Sequence, residues 1–133
     1  MPFVFSQRSK RNLRGVHPHL VEIAYEALKR APYDFIVTEG LRTMARQREL
    51  KAAGKSQTLN SYHLLQSDGY GHAIDIAIIP PEGGVTWNNK YYDEEAKVFL
   101  AIAAEKGYKL TYGGSWKMRD CPHFQLEPRS IPV

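Results

Sequence analysis

With 133 residues, 43% of them hydrophobic and 24% charged, the chain has the make-up of one ordinary globular domain able to bury a core. A single cysteine, Cys121, excludes an internal disulfide framework, and no apolar run is long enough for a signal peptide or a bilayer span. The net charge of +4 gathers at Arg8, Lys10, Arg11 and Arg14 and at Arg42, Arg46, Arg48 and Lys51; with no reader motif or aromatic-interleaved stripe beside them, no nucleic-acid partner is expected, and a mildly positive surface suits any anionic polymer.

In chain order, Phe3 and Phe5 precede SQRSKRNL, a polar stretch expected on the surface. A helix is predicted from Pro18, whose fixed φ suits the first helical position, and Leu20, Ile23, Ala24, Ala27 and Leu28 give it one apolar face up to Pro32. His17 and His19 flank its start and read as surface or capping residues. Asp34–Gly40 is a β-branched run and reads as a strand. Thr43 is placed to cap a helix over Met44–Gly54, on which Gln47 faces the body of the domain. Positions 55–60 read as a polar loop. His72–Ile79 is the clearest buried strand, stopped by Pro80-Pro81. A loop through Gly83, Gly84 and Trp87 leads to Asp93, read as the N-cap of a helix whose apolar face is Ala96, Phe99, Leu100 and Ala103 and whose end is Gly107. Strands at Tyr108–Tyr112 and His123–Leu126 flank the turn GGSWKMRDCP. Strands and helices do not alternate regularly, so the expected class is α+β, with a small, mainly antiparallel sheet and about three helices around a single metal site.

The chemistry gathers in two stretches, SYHLLQSDGYGHAID at Ser61–Asp75 and DCPH at Asp120–His123. His63, Asp75 and His123 are suited to Zn²⁺, which in catalytic sites takes three protein ligands and leaves a fourth position open; Asp120 is left over as a base. Asp75 sits inside the apolar run AIDIAII, where an unpaired carboxylate is costly to bury, so it requires a cation or several donors. An ion pair with an arginine is the alternative. Two histidines compete to join it. His72, three residues away along a strand, points to the opposite face, whereas His63 reaches back from the preceding loop over the face shared by Gly71, Ala73 and Asp75; His63 is therefore favoured. The spacing of Asp120 and His123 lets one turn place an imidazole on the metal and a carboxylate beside it. Tyr112 and Trp116, next to the glycine turn, are candidates for lining a substrate groove, and Gln47 and Ser61 are further candidates for binding the substrate.

Four stretches, FSQRS with LRGVHPHLVEIAYEAL, TEGLRTMARQREL, GHAIDI and YGGSWKMRDCPHFQL, resemble the zinc peptidases that include phage L-alanyl-D-glutamate endopeptidases and bacterial D-Ala-D-Ala carboxypeptidases. The likeness covers nearly the whole chain. Ser61 and His63 match the start of the family's Ser-x-His-x-x-Gly-x-Ala-x-Asp motif, and Gly71, Ala73 and Asp75 its end. Between them LLQSDGYG carries a five-residue insertion, which a loop can absorb without moving the strand. Asp120 matches the family's catalytic acid and His123 its last zinc ligand, while Gln125 stands where a glutamate is common.

The resemblance implies that Arg42, in GLRT ahead of Gln47, polarises the substrate and stabilises the oxyanion, that Asp120 moves the proton, and that Ser61 orients His63 or the substrate. It implies Zn²⁺ as cofactor, with manganese or cobalt as possible substitutes in a mixed nitrogen and oxygen site. It implies peptidoglycan stem peptides as substrate, cut at the L-Ala–D-Glu bond. The expected protein is a monomeric endolysin of one catalytic domain, without a wall-binding domain or stable membrane insertion, held in the host cytoplasm until the membrane opens. A D-Ala-D-Ala carboxypeptidase and a non-catalytic peptidoglycan-binding module are the alternatives.

Overall fold

The structure, a computed structural model, describes residues 3–56 and 61–127. It opens with a helix that the sequence reading missed. Helix α1, Gln7–Asn12, starts at Ser6, whose hydroxyl accepts the Ser9 amide, and its polar sequence hides a buried serine. Ser9 Oγ accepts the Val37 amide at 3.0 Å and Asn12 donates to the Val37 carbonyl at 2.8 Å, so α1 satisfies the outer edge of the first strand. The stretch is polar because its polar groups face a backbone edge rather than water alone.

Helix α2 (Pro18–Arg30) runs as predicted, with His17 as N-cap and Leu20, Ile23, Ala24, Ala27 and Leu28 buried. Strand β1 (Asp34–Glu39) and helix α3 (Met44–Ala52, capped by the Thr43 hydroxyl) follow, then β2 (Ala73–Ile79). The polar-loop reading over positions 57–60 lies outside the described residues. Helix α4 (Asn89–Lys106) begins at Asn88 rather than at Asp93: the Asn88 side chain accepts the Lys90 amide and adds about a turn to the helix. Gly107 closes it at φ +76°, the left-handed cap that glycine adopts without penalty. Strand β3 (Lys109–Tyr112), a single 3₁₀ turn and β4 (His123–Glu127) complete the described chain.

Among the described residues four strands form an antiparallel sheet in the order β1-β2-β4-β3, with α2 and α4 packed on one face, an α+β fold with four α-helices instead of three. Ile74, Ile76 and Ile78 point to that face and pack with Phe35, Phe99 and Phe124; the Phe99 and Phe124 rings stack at 4.2 Å. Asp75 must then point to the other face, by the period of two. Cross-strand register sets Asp75 opposite His123 on β4 and, across a bulge between Val37 and Glu39, opposite Glu39 on β1. The bulge turns Glu39 onto the face that Asp75 and His123 share. One row of the sheet thus carries three functional side chains.

Against the helix layer, Glu95 is fully buried; one carboxyl oxygen accepts the Tyr33 amide at 3.2 Å and the other has no partner. Burial, helped by the nearby Asp34 and Glu94 charges, pushes its carboxyl up to about 8. Between its ordinary value of 4.5 and that one, the unfolded chain releases a proton that the folded chain keeps, so the group's contribution falls as pH rises. Glu95→Gln is therefore expected to be more stable than the parent at pH 8, by an amount on the order of a few kcal/mol at about 1.4 kcal/mol per pH unit, and to lose that advantage near pH 5. Denaturant midpoints of both proteins at the two pH values measure this.

Candidate metal centre and active site

His63 lies in the loop that precedes β2, and its backbone is fixed from both sides. Its amide donates to Ser61 Oγ at 3.1 Å and its carbonyl accepts the Arg42 amide at 2.8 Å. The ring is fixed as well. Nδ1 stands 2.8 Å from the Gly40 carbonyl oxygen, which can only accept, so Nδ1 carries the proton and Nε2 presents a lone pair. A Cβ on Gly40 would come within 1.9 Å of the Asn12 carbonyl, which is why a glycine supplies that acceptor. Nε2 of His63 is buried, has no hydrogen-bond partner and faces Asp75 Oδ1 at 3.4 Å.

His123 is set by a longer chain of contacts. Glu127 accepts the Gln125 amide nitrogen at 2.8 Å, which turns Gln125 Oε1 toward His123 Nε2, also at 2.8 Å. That nitrogen must donate, so Nδ1 carries the lone pair, 3.1 Å from Asp75 Oδ1. Glu127 is itself held by Tyr62 at 2.6 Å and by Thr111 at 3.3 Å. Two imidazole lone pairs and a carboxylate oxygen therefore converge with their other sides already occupied, a repulsive arrangement unless a cation or protons lie between them. Burial alone would raise the Asp75 carboxyl, but the adjacent His63 and His123 hold it well below the usual range. Burial would lower the His123 imidazole, and its bond to Asp75 raises it instead. The donor set and the outer partners of both rings fit a divalent ion, and these three atoms lie within 4.8 Å of one another.

The remaining groups surround this cluster in a cleft of about 730 Å³, lined by Glu39, Arg42, Ser61, Tyr62, Trp116, Arg119 and Asp120 among others. Glu39 clamps Arg42 with two bonds, Nε–Oε1 at 2.6 Å and Nη2–Oε2 at 2.9 Å. Gln47 Oε1 accepts from Nη1 at 2.6 Å, and Ser61 Oγ lies 3.5 Å from the same nitrogen. The guanidinium is thereby oriented with Nη2 toward Asp75, 4.0 Å from Oδ2. Asp120 stands in the turn before β4, where its amide donates to the Gly113 carbonyl at 3.0 Å and its carbonyl accepts the His123 amide at 3.1 Å. A Cβ on Gly113 would meet the Asp120 carbonyl at 2.4 Å, so the turn closes only over a glycine. Desolvation and the Asp75 charge raise the Asp120 carboxyl above its ordinary value. Trp116 lies on the rim, its ring 5.2 Å from that of His123.

Of the candidates read from the sequence, the structure gathers His63, Asp75, His123, Asp120, Arg42, Ser61 and Trp116 at one cleft. Gln47 is fully buried behind Arg42, holding the guanidinium rather than facing the cleft. Tyr112 belongs to the core side: its ring stacks on Phe124 and its hydroxyl donates to Asp93. His72 is buried on the face away from Asp75, bonded to Asp68. Glu39 and Glu127 were not singled out from the sequence, and Gln125 was read only as standing where a glutamate is common. Glu39 sits three residues before Arg42, a visible signal; the path from Glu127 to His123 appears only once β4 is folded.

Comparisons with known proteins identify the family. The family model for phage L-alanyl-D-glutamate peptidase matches residues 1–127. The chain belongs to that peptidase family. Its relatives include the L-alanyl-D-glutamate peptidase of Escherichia phage T5, 31% identical over 131 residues, covering 96% of this chain and 91% of the relative. Another is the Bacillus subtilis peptidoglycan L-alanyl-D-glutamate endopeptidase CwlK, 29% identical over 85% of this chain and 74% of its own. Among solved structures, the Serratia marcescens L-Ala D-Glu endopeptidase ChiX superposes with a TM-score of 0.82 at 46% identity, over 94% of this chain and 90% of that one. A divalent ion held by His63, Asp75 and His123 would bind about 10–100-fold more weakly in Gln125→Ala, because His123 loses the acceptor that fixes its tautomer. Competition with a chromophoric chelator checks it.

Proposed function

We propose that this peptidase is a zinc-dependent endopeptidase that hydrolyses the L-Ala–D-Glu bond of peptidoglycan stem peptides. The observation that carries the reading is the convergence of His63 Nε2, Asp75 Oδ1 and His123 Nδ1, with the second nitrogen of each imidazole committed to an acceptor outside the cluster. The bond and the polymer come from the relatives, two of which are named for exactly that linkage in a phage and for peptidoglycan in a bacterium.

His63, Asp75 and His123 would hold the ion. Zinc bound there supplies Lewis acidity and lowers the pKa of a water toward neutrality. Asp120, with its carboxyl raised in the cleft, accepts the proton from the attacking water and returns it to the nitrogen of the departing amine as the C–N bond breaks. Arg42 donates from Nη2 to the oxyanion of the tetrahedral intermediate; Glu39 and Gln47 occupy its other donors, so little reorganisation accompanies the reaction. Ser61 fixes the His63 backbone and touches Arg42, linking metal ligand and oxyanion donor. Trp116 offers an apolar wall at the rim.

Purified sacculi are expected to be cleared by the protein, protected by EDTA and cleared again on adding Zn²⁺, with stem peptides that begin at D-Glu, the L-Ala left on the glycan, among the products. Release of single alanines instead would identify a carboxypeptidase, and sacculus binding without chelator-sensitive clearing would identify a binding module. Asp120→Asn is expected to keep its zinc while kcat falls by about 10²–10⁴, the usual range for a lost general base. Metal analysis beside single-concentration turnover separates the two effects.

A further inference from the structure

The inserted loop contributes to a second group of metal-type donors outside the cleft. It folds as a tight turn, with the Gln66 amide on the Tyr70 carbonyl at 2.9 Å and the Gly69 amide on the Gln66 carbonyl at 3.0 Å, and it points Asp68 inward. The Asp68 side chain is only 3% exposed. One of its oxygens accepts the Tyr70 amide at 3.1 Å; the other, Oδ2, lies 2.6 Å from His72 Nε2 and 3.8 Å from His17 Nε2. His17 comes from the N-terminus of α2 and His72 from the residue before β2, and their ring centroids are 5.2 Å apart. The backbones are already tied together, by His17 N to the Gly71 carbonyl at 2.9 Å and Gly71 N to the Gly15 carbonyl at 2.8 Å.

We propose that His17, Asp68 and His72 form a second binding site for a divalent transition metal of the zinc type, with a structural role. The donor set, two imidazoles and a carboxylate, repeats that of the cleft, and its ligand atoms likewise lie within 4.8 Å of one another. Donors about 2.0–2.2 Å from one tetrahedral ion stand roughly 3.4 Å apart. The two measured separations bracket that value, one too long for a hydrogen bond and one at the short end for it. Shifts of under about an ångström in three side chains would admit the ion.

The proton balance is explicit. Without metal, His72 Nε2–H donates to Asp68, and His17 Nδ1 accepts the His19 amide as the helix cap. Metal entry moves the single proton of each ring from Nε2 to Nδ1, on His72 as on His17, with none released to water, and leaves the His72 Nδ1 proton on a buried nitrogen that has no hydrogen-bond partner. The helix then gives up one cap bond at its first turn, where His19 is partly exposed to water. In return the ion would clamp the insertion onto α2. That clamp sits between His63 and Asp75 in the chain, so it would steady the loop that carries one cleft ligand and the strand that carries another. Catalysis needs no atom of it.

The test is metal stoichiometry on the full chain, stripped of metal, dialysed against Zn²⁺ and analysed by plasma mass spectrometry. The parent is expected to hold two equivalents. His17→Asn, which keeps a good helix cap, and Asp68→Asn, which keeps the shape of the side chain, should each hold one. His123→Ala should also hold one, and the double variant Asp68→Asn with His123→Ala none. Zn²⁺ should raise the melting temperature of His123→Ala but not of the double variant. A parent that takes up a single equivalent, lost in His123→Ala and kept in both His17→Asn and Asp68→Asn, overturns the second site and leaves the proposed cleft chemistry standing. A single equivalent kept in His123→Ala but lost in Asp68→Asn supports the second site and removes the zinc reading of the cleft. Two equivalents retained in both His17→Asn and Asp68→Asn also overturn it.

Discussion

Asp75 Oδ1 is the point on which the candidate active site closes. It lies 3.4 Å from one imidazole nitrogen and 3.1 Å from another, and both of those nitrogens carry lone pairs because their ring partners are committed to acceptors. A carboxylate oxygen and two nitrogen lone pairs held this closely within a partly desolvated cleft are unfavourable unless a cation or protons share the space. The rest of the domain can be understood as what makes that encounter possible. An antiparallel sheet with a buried apolar face requires alternate residues to point away from it, and the register of β2 with β4 sets Asp75 directly across from His123.

The outer contacts matter as much as the ligands. Glu127, Gln125 and His123 form a line of bonds along β4, and Tyr62, one residue before His63, donates to the far end of it. The loop ligand and the strand ligand are thus coupled through groups that never touch the reacting atoms. Arg42 is oriented in a similar way, between a bidentate Glu39 and a buried Gln47. A cleft built like this needs few motions of its own to present donors to a charge that develops during reaction.

The insertion is where this chain departs from the pattern its family resemblance implies. It lengthens the step between His63 and Asp75 to twelve positions, yet the ends of the segment stay tied to the Gly15–His17 backbone and to Arg42. The extra residues are folded back by Asp68, whose carboxylate would be costly to bury without the His72 and His17 rings beside it. An added loop has in this way acquired polar anchors of its own.

The sequence by itself determined the elements whose signals are local. The apolar spacing of α2, the Thr43 cap, the β-branched runs and Gly107 each act within a turn or two of the chain, and the boundaries they mark lie within a residue or two of where those signals place them. Period two alone also puts His72 and Asp75 on opposite faces. Tertiary structure decided what depends on partners distant in the chain. It made a helix of Gln7–Asn12 by offering the edge of β1, moved the start of α4 from Asp93 to Asn88, turned Glu39 by a bulge, drew Gln47 and Tyr112 away from the cleft, and set His17 beside Asp68. Local propensity is felt by neighbours along the chain, whereas a side chain's chemical role is fixed by whichever groups the packed sheet brings across from it.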